Sequence, residues 1–402
     1  MKLRLNDYII CPECGGDFQL KIDESYQLDY SPDVLKNLTH YLEVKEPDRM
    51  KNDRAALLES YSNGVQAGSL TCDGCQRVYP IINGIPRLLS DSLRTTVEKM
   101  GRGDPKSDTR IDKFMDEIQP VGKDTELFEK IQKANQSNYG YEWKAFSHSY
   151  NQWEYVYKKS YVHEDDSFFD KKLGLDAGCG MARYTMVPVK KGAEMIGVDL
   201  SNAVEPAYQK SKNIPNLHII QGDLFKLPFR KAMFDFAQSI GVIHITPEPE
   251  AALTSIKKHV GPKKKIFLMV YRSFEDDNQF KHCLLKVASQ MRRVTSRMPS
   301  DLLYAFLYLM VPVVLICFYI PSWIFWHLPN GKKMSNMFPY SYEQYCDRRL
   351  RDMHMNLFDR FGNPVERRYN TKDMEDWMTR ADFDSFHLEK DEGWNVVAIN
   401  RE

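Results

Sequence analysis

An excess of charge of either sign is missing from this chain: 55 Lys and Arg stand against 55 Asp and Glu in 402 residues, a net charge of zero. That balance excludes a chain-wide basic field of the kind nucleic-acid binders carry, and leaves only local clusters at Lys257–Lys265 and Arg348–Arg351. No internal repeat or low-complexity tract is present. Cysteine is scarce, 8 in all, and four of them fall in two tight pairs, which points to a reducing compartment and away from a disulfide-built secreted fold. Met1–Asp7 is polar and charged and no long apolar run follows it, so no secretory leader is expected and a cytoplasmic location is. What is present is an apolar content of 43%, enough for a sizeable core in two domains or in one large domain with insertions.

Three successive segments carry an acid or a glycine at a strand end. Lys172-Leu-Gly-Leu-Asp176 is a short apolar run entering the turn Asp176-Ala-Gly-Cys-Gly180, with Met181–Lys191 expected to follow as a helix. Gly178 and Gly180 let the backbone turn sharply and approach a ligand closely. A second strand, Glu194–Asp199, ends in a carboxylate 19 positions after Gly180, where a doubly wound sheet places the acid that grips ribose hydroxyls. A third, Leu217–Gln221, delivers Asp223, suited to accept from the exocyclic amine of adenine, with Leu224 against the ring. A dinucleotide is the nearest competitor, but the third fingerprint glycine is absent, with Arg183 in its place. A carboxylate at the mouth of the turn suits a cationic methionine ammonium better than a pyrophosphate. The pattern therefore predicts S-adenosylmethionine as cofactor, with Asp176 near its ammonium.

From about Asn138 to the C-terminus the chain resembles the class I S-adenosylmethionine-dependent methyltransferases. The resemblance maps the methionine-binding loop to Asp176, Gly178 and Gly180, the ribose acid to Asp199 and the adenine acid to Asp223. Phe234-Asp-Phe-Ala-Gln-Ser239 and Gly241-Val-Ile-His244 resemble the fourth strand and its turn. Asn138-Tyr-Gly-Tyr-Glu-Trp143 resembles the aromatic segment that folds over the cofactor. Tyr139, Leu200 and Ser239 complete the candidate cofactor set. Gly261-Pro-Lys-Lys-Lys265 departs from the Pro-Gly-Gly usual before the fifth strand. Strands are expected near 173–176, 194–199, 217–221, 234–239 and 265–271, then a closing hairpin, Phe383–Glu389 and Asn395–Asn400.

Cys11-Pro-Glu-Cys14 and Cys72-Asp-Gly-Cys75 are two CxxC knuckles, the donor set of a closed structural zinc site. Leu70–Leu89 resembles the end of the zinc-ribbon domain of the tRNA-methyltransferase activator family, which stands alone as a partner of methyltransferases or is fused in front of one, as here. The expected architecture is thus α/β. A doubly wound, seven-stranded, mostly parallel sheet spans 136–402, with an apolar helical insertion at about 278–335 before the last two strands. A zinc ribbon spans 1–97, with a solvated helical insertion at about 29–67, and a linker covers 98–135.

Lys281–Arg297 carries five basic residues and no acid, and Leu302–Trp326 has no charged residue, which is long enough to span a bilayer. One crossing would strand the closing hairpin away from its sheet, and Pro312 and Pro321 are expected to divide the run. The insertion (281–329 in particular) is therefore read as a lid over an apolar acceptor, a dimer interface, or a peripheral contact with an anionic membrane. His244 is the candidate general base by position and accessible pKa. The Asn/Asp-Pro-Pro-Tyr sequence of amino methylases is absent after the fourth strand, and so is a cysteine, which disfavours adenine-amine, glutamine-amide and pyrimidine-carbon acceptors. A small-molecule, glycan or lipid-linked acceptor is expected first. RNA comes second, and a non-catalytic scaffold that holds a partner through its zinc domain third.

Overall fold

The computed structural model describes residues 1–90, 93, 125–146, 153–158, 162–276, 278–346, 350–363, 365–391 and 393–401. Most of the expected linker, 98–124, and Arg348 lie outside them. Among the described residues eleven strands form one continuous sheet. Four antiparallel strands come first: β1 (Phe18–Gln27), β2 (Asn63–Cys72), β3 (Val78–Ile82) and β4 (Ile85–Leu88). Then come β5 (Leu173–Ala177), β6 (Glu194–Asp199), β7 (Leu217–Gly222), β8 (Phe234–Ile240), β9 (Val260–Tyr271), β10 (Ser385–Lys390) and β11 (Gly393–Ile399), in the spatial order 7-6-5-8-9-11-10. The first five of that order are parallel and the last two antiparallel, the seven-stranded sheet expected.

β4 pairs in parallel with β7, Arg87 opposite Gln221 and Leu88 opposite Gly222, so the N-terminal sheet covers what would be an open edge. Buried polar groups reinforce the junction. Lys2 donates to the carbonyls of Ser211 and Leu217 at 3.2 and 2.8 Å, and Arg87 donates to Gln221 at 2.9 Å and pairs with Glu205.

The order of strands reverses at β5, flanked by β6 and β8, and the crevice lies outside the carboxyl ends there. β5 to β8 read as near-continuous apolar runs because both faces are covered. Pro32–Lys45, Pro47–Asn52 and Arg54–Ser62 form the helical insertion of the N-terminal domain, within 29–67 as expected, around Leu38, Leu42, Leu57 and Tyr61. It is not merely solvated. Lys45 pairs with Asp235 and Tyr61 bonds Glu194, so it braces the amino ends of β6 and β8, opposite the crevice.

Four expectations are corrected. Met181–Lys191 is helical only over Met186–Lys190, because Ala182 sits in the left-handed region at φ 61° and the chain winds around the glycine turn first. Part of the expected linker belongs to a helix, Thr125–Ala145, whose Leu127, Ile131 and Ala134 pack inward with Val365. The C-terminal insertion runs on past 335, through Tyr342–Tyr345 to Leu350–Gly362. Pro312 and Pro321 do not divide the apolar run: Ser300–His327 is one helical rod of 28 residues, with a wider turn at Leu315–Tyr319 absorbing the missing donors. Among the described residues it is the one helix long and apolar enough to cross a membrane, with mean hydropathy 2.4 and only 22% burial in its most apolar stretch. Both ends of the insertion lead into one sheet, through β9 before it and the β10–β11 hairpin after it.

Candidate functional site

Three sheet ends and one helix build the crevice, a cavity of about 130 Å³ whose wall includes Gly178, Gly180, Asp199, Leu200, Asp223 and Leu224. Gly178 holds φ 87°, and a Cβ there would lie 2.4 Å from Val242, so only glycine fits the turn. Asp199 ties the loops together. It accepts from Gly180 N at 2.8 Å and from the backbone and hydroxyl of Ser201 at 2.8 and 2.7 Å. A carboxylate has about four acceptor positions, so one is left for a ligand hydroxyl. Asp223 accepts from Phe225 N at 3.0 Å and Gln132 at 2.9 Å. Burial raises both acids above the ordinary carboxylate range.

Thr125–Ala145 lies across the opening. On one face, at helical spacing, Gln132 reaches Asp223, Asn135 reaches the Ile245 carbonyl at 2.8 Å, Gln136 reaches the Leu200 carbonyl at 3.0 Å, and Tyr139 lines the wall. Tyr139 was legible in the sequence; the three amides were not. Leu127, Ile131 and Ala134 at helical spacing, with Glu126–Lys130 and Glu129–Lys133 pairs, are the signal that could have found them.

Two candidates are placed elsewhere. Asp176 lies behind the crevice, accepting from Thr185 at 2.6 Å and Gln238 at 2.9 Å, and burial pushes it up to about 6. It holds the glycine turn from behind. Ser239 is buried beside it and donates to the Ala177 carbonyl at 2.8 Å, so it too is outside the wall.

The cysteine sulfurs of Cys11, Cys14, Cys72 and Cys75 all lie within 4.8 Å of one another, Cys14–Cys72 at 3.3 Å and Cys11–Cys75 at 3.7 Å. Tetrahedral zinc with bonds of about 2.3 Å needs sulfurs about 3.8 Å apart, so the four fit that ion. The turns are built close around them: a Cβ on Gly16 would lie 3.0 Å from Cys72 Sγ, and one on Gly74 3.2 Å from Cys14 Sγ. The first knuckle adjoins the loop after β7, where Glu13 pairs with Lys226 and Ile10 N bonds the Pro228 carbonyl at 2.9 Å.

Residues 175–268 match the methyltransferase domain family and residues 2–84 the Trm112p-like protein family. The chain thus carries a Trm112p-like domain ahead of a methyltransferase domain, each matched over about a fifth to a quarter of its length. The demethylmenaquinone methyltransferase of Staphylococcus carnosus is 32% identical over 92 residues, 22% of this chain and 38% of that protein, so the match spans well under half of the relative. A SAM dependent methyltransferase from Aquifex aeolicus is 20% identical, covering 27% of this chain and 61% of that one at a TM-score of 0.25. The Haloferax volcanii Trm112 methyltransferase activator, in complex with a methyltransferase, gives 17% identity over 36% of this chain and 64% of that one, at 0.28.

The methyltransferase domain has a second, larger cavity of about 400 Å³, and Tyr139, Arg183, Tyr184, Ile240 and Gly241 line both. Its far walls are the inner faces of Gln279–Thr295 and Ser300–Val314, including Leu285, Met291, Phe306 and Leu307. His244 faces neither cavity. It is fully buried against Tyr271, with ring centroids 4.2 Å apart, and neither ring nitrogen has a partner among the described residues. Burial holds it down to about 3, so it stays neutral and out of reach of an acceptor. Sequence position after the fourth strand did not reveal that the turn Ile243–Ile245 points inward.

Proposed function

We propose that the protein transfers a methyl group from S-adenosylmethionine to an apolar acceptor, a small molecule, glycan or lipid-linked molecule, with a lipid-linked one favoured. The observation that carries this reading is the large cavity, more apolar than polar, sharing one wall with the crevice. Bound in the crevice, S-adenosylmethionine supplies an intrinsically activated methyl. The chain's residues then have to align the acceptor and keep water out. Asp199 would hold the ribose, Asp223 the adenine amine, and the Gly178 turn the methionine portion. In this reading zinc held by the four cysteines fixes the knuckle beside the Asp223 loop.

The outer face of the insertion supports a lipid source for the acceptor. Leu309, Ile316, Trp323 and Ile324 are exposed along one rod, and Lys286, Arg293, Lys332 and Lys333 are exposed around it. We infer that this face rests on an anionic bilayer from the cytoplasmic side, with the rod in the interface plane. An RNA acceptor finds less support. The Lys257–Lys265 cluster lies at the amino end of β9, away from the crevice, where Lys263, Lys264 and Lys265 pair with Asp384, Asp235 and Glu164.

The test is incubation of the purified protein with methyl-labelled donor and three extracts: total lipid, total RNA and water-soluble metabolites. Label in the lipid phase is expected, and label in RNA would overturn the reading.

A further inference from the structure

Two carboxylates near the shared wall, Glu366 fully buried and Asp359 part-buried at the large cavity, are treated oppositely by their surroundings. Glu366 is paired with Arg292 at 3.0 Å and Arg368 at 2.6 Å. Asp359, on the helix Leu350–Gly362, has no ion pair among the described residues. It accepts from Tyr271 Oη at 2.7 Å, from Tyr139 Oη at 3.5 Å and from Asn363 at 3.4 Å. Asp359 lines the large cavity, and Tyr139, its partner, lines both cavities. Its carboxylate therefore sits one tyrosine from the junction where methyl donor and acceptor would meet.

We propose that Asp359 takes the acceptor's proton during transfer, so that the atom methylated is a hydroxyl oxygen or an acidic carbon and not an amine. The proposal rests on the methyl-transfer reading above. For a hydroxyl, the oxygen lone pair forms the new bond to the methyl carbon. The electron pair of the breaking carbon–sulfur bond stays on sulfur as a neutral thioether. The hydroxyl proton passes to Asp359 Oδ, which later loses it to water through the cavity.

The charge environment fits a base. Burial lifts Asp359 above the ordinary carboxylate range and the Glu366 charge adds to that, while Tyr271, Arg360 and Arg183 pull the other way. Glu366 is also desolvated, but Arg292, Arg368 and Arg360 outweigh that and hold it to about 2. Neighbouring carboxylates with pKa values pushed apart are the usual mark of divided roles in an acid–base site. Burial keeps Tyr139 and Tyr271 protonated well above neutrality, so both serve as donors that aim the carboxylate.

The test uses tritium-labelled donor and total lipid extract in non-ionic detergent micelles, with Asp359→Asn, Asp359→Glu and Tyr271→Phe. Donor binding by calorimetry and the appearance of label report on methyl transfer itself; the variant ratios and their pH dependence report on Asp359 alone. Asp359→Asn should bind donor normally, lose about 100-fold or more in kcat, and lose the rise of rate with pH. Asp359→Glu should restore part of it. Tyr271→Phe removes a hydrogen bond to the charged form, so its rise should move to higher pH. An Asp359→Asn variant within about threefold of the parent, an unchanged pH profile, or an N-methylated product would each overturn the proposal.

Discussion

Tyr61 donates its hydroxyl to Glu194 at 2.9 Å, so the helical insertion of the N-terminal domain holds the first residue of β6. Tyr8 and His218 reach the same carboxylate at 2.7 and 2.9 Å, and Arg4 lies 4.0 Å away. Burial alone would raise Glu194, but His218 and Arg4 outweigh it and hold the group to about 2. Glu194→Ala leaves buried donors and a cation unmatched and should destabilise by about 3–5 kcal/mol. Because the folded value lies below the ordinary glutamate value of 4.5, the contribution is complete above that pH and lost as pH falls toward 2. Denaturant titrations from pH 6 to pH 2 should show parent and Glu194→Gln converging at the acid end.

The zinc knuckles and the crevice share a loop, and β4 reaches the crevice through Arg87, Gln221 and the Leu200 carbonyl, the last contact at 3.1 Å. Chelation, or Cys72→Ser, should lower the melting temperature and weaken donor binding about tenfold or more. Metal analysis should give one zinc per chain. Full donor affinity in zinc-free protein would contradict this.

Asp199→Ala removes the acceptor proposed for the ribose and the tie to Gly180, and should weaken donor binding on the order of 100-fold. Asp223→Ala should cost nearer tenfold, since Gln132 can turn to the ring. Isothermal calorimetry measures both, and Asp176→Asn should act on the melting temperature more than on affinity.

Leu309 is 72% exposed and Ile316 65%, on an apolar rod with no charged residue from Leu302 to Trp326. Leu309→Glu with Ile316→Glu should cut binding to phosphatidylglycerol-containing vesicles at least tenfold without lowering the melting temperature. Replacing Arg293, Lys332 and Lys333 should weaken it by about 1 kcal/mol each and make it less salt-sensitive. Trp323 emission should shift to the blue on vesicles; an unchanged spectrum with a dimer by sedimentation would assign the face to a second copy.

Seven strands, the glycine turn and the two wall acids were legible because each rests on local rules: apolar runs, turn glycines and acids at strand ends. Asp176 and Ser239 carried the right residue types, yet whether they face the ligand or the sheet interior depends on Thr185, Gln238 and Ala177 across the fold. His244 failed for the same reason. Asp359 was invisible because its neighbours Tyr139 and Tyr271 come from distant elements, and the sequence pattern ended the insertion at 335. The prolines misled since a wide helical turn can absorb their missing donors.

The strand that shields β7 belongs to the same polypeptide. The two halves therefore meet at a fixed local concentration that dilution cannot lower. Cover for that edge then does not depend on a free pool of a second chain, and loss of one ribbon uncovers it only in the molecule that carries it.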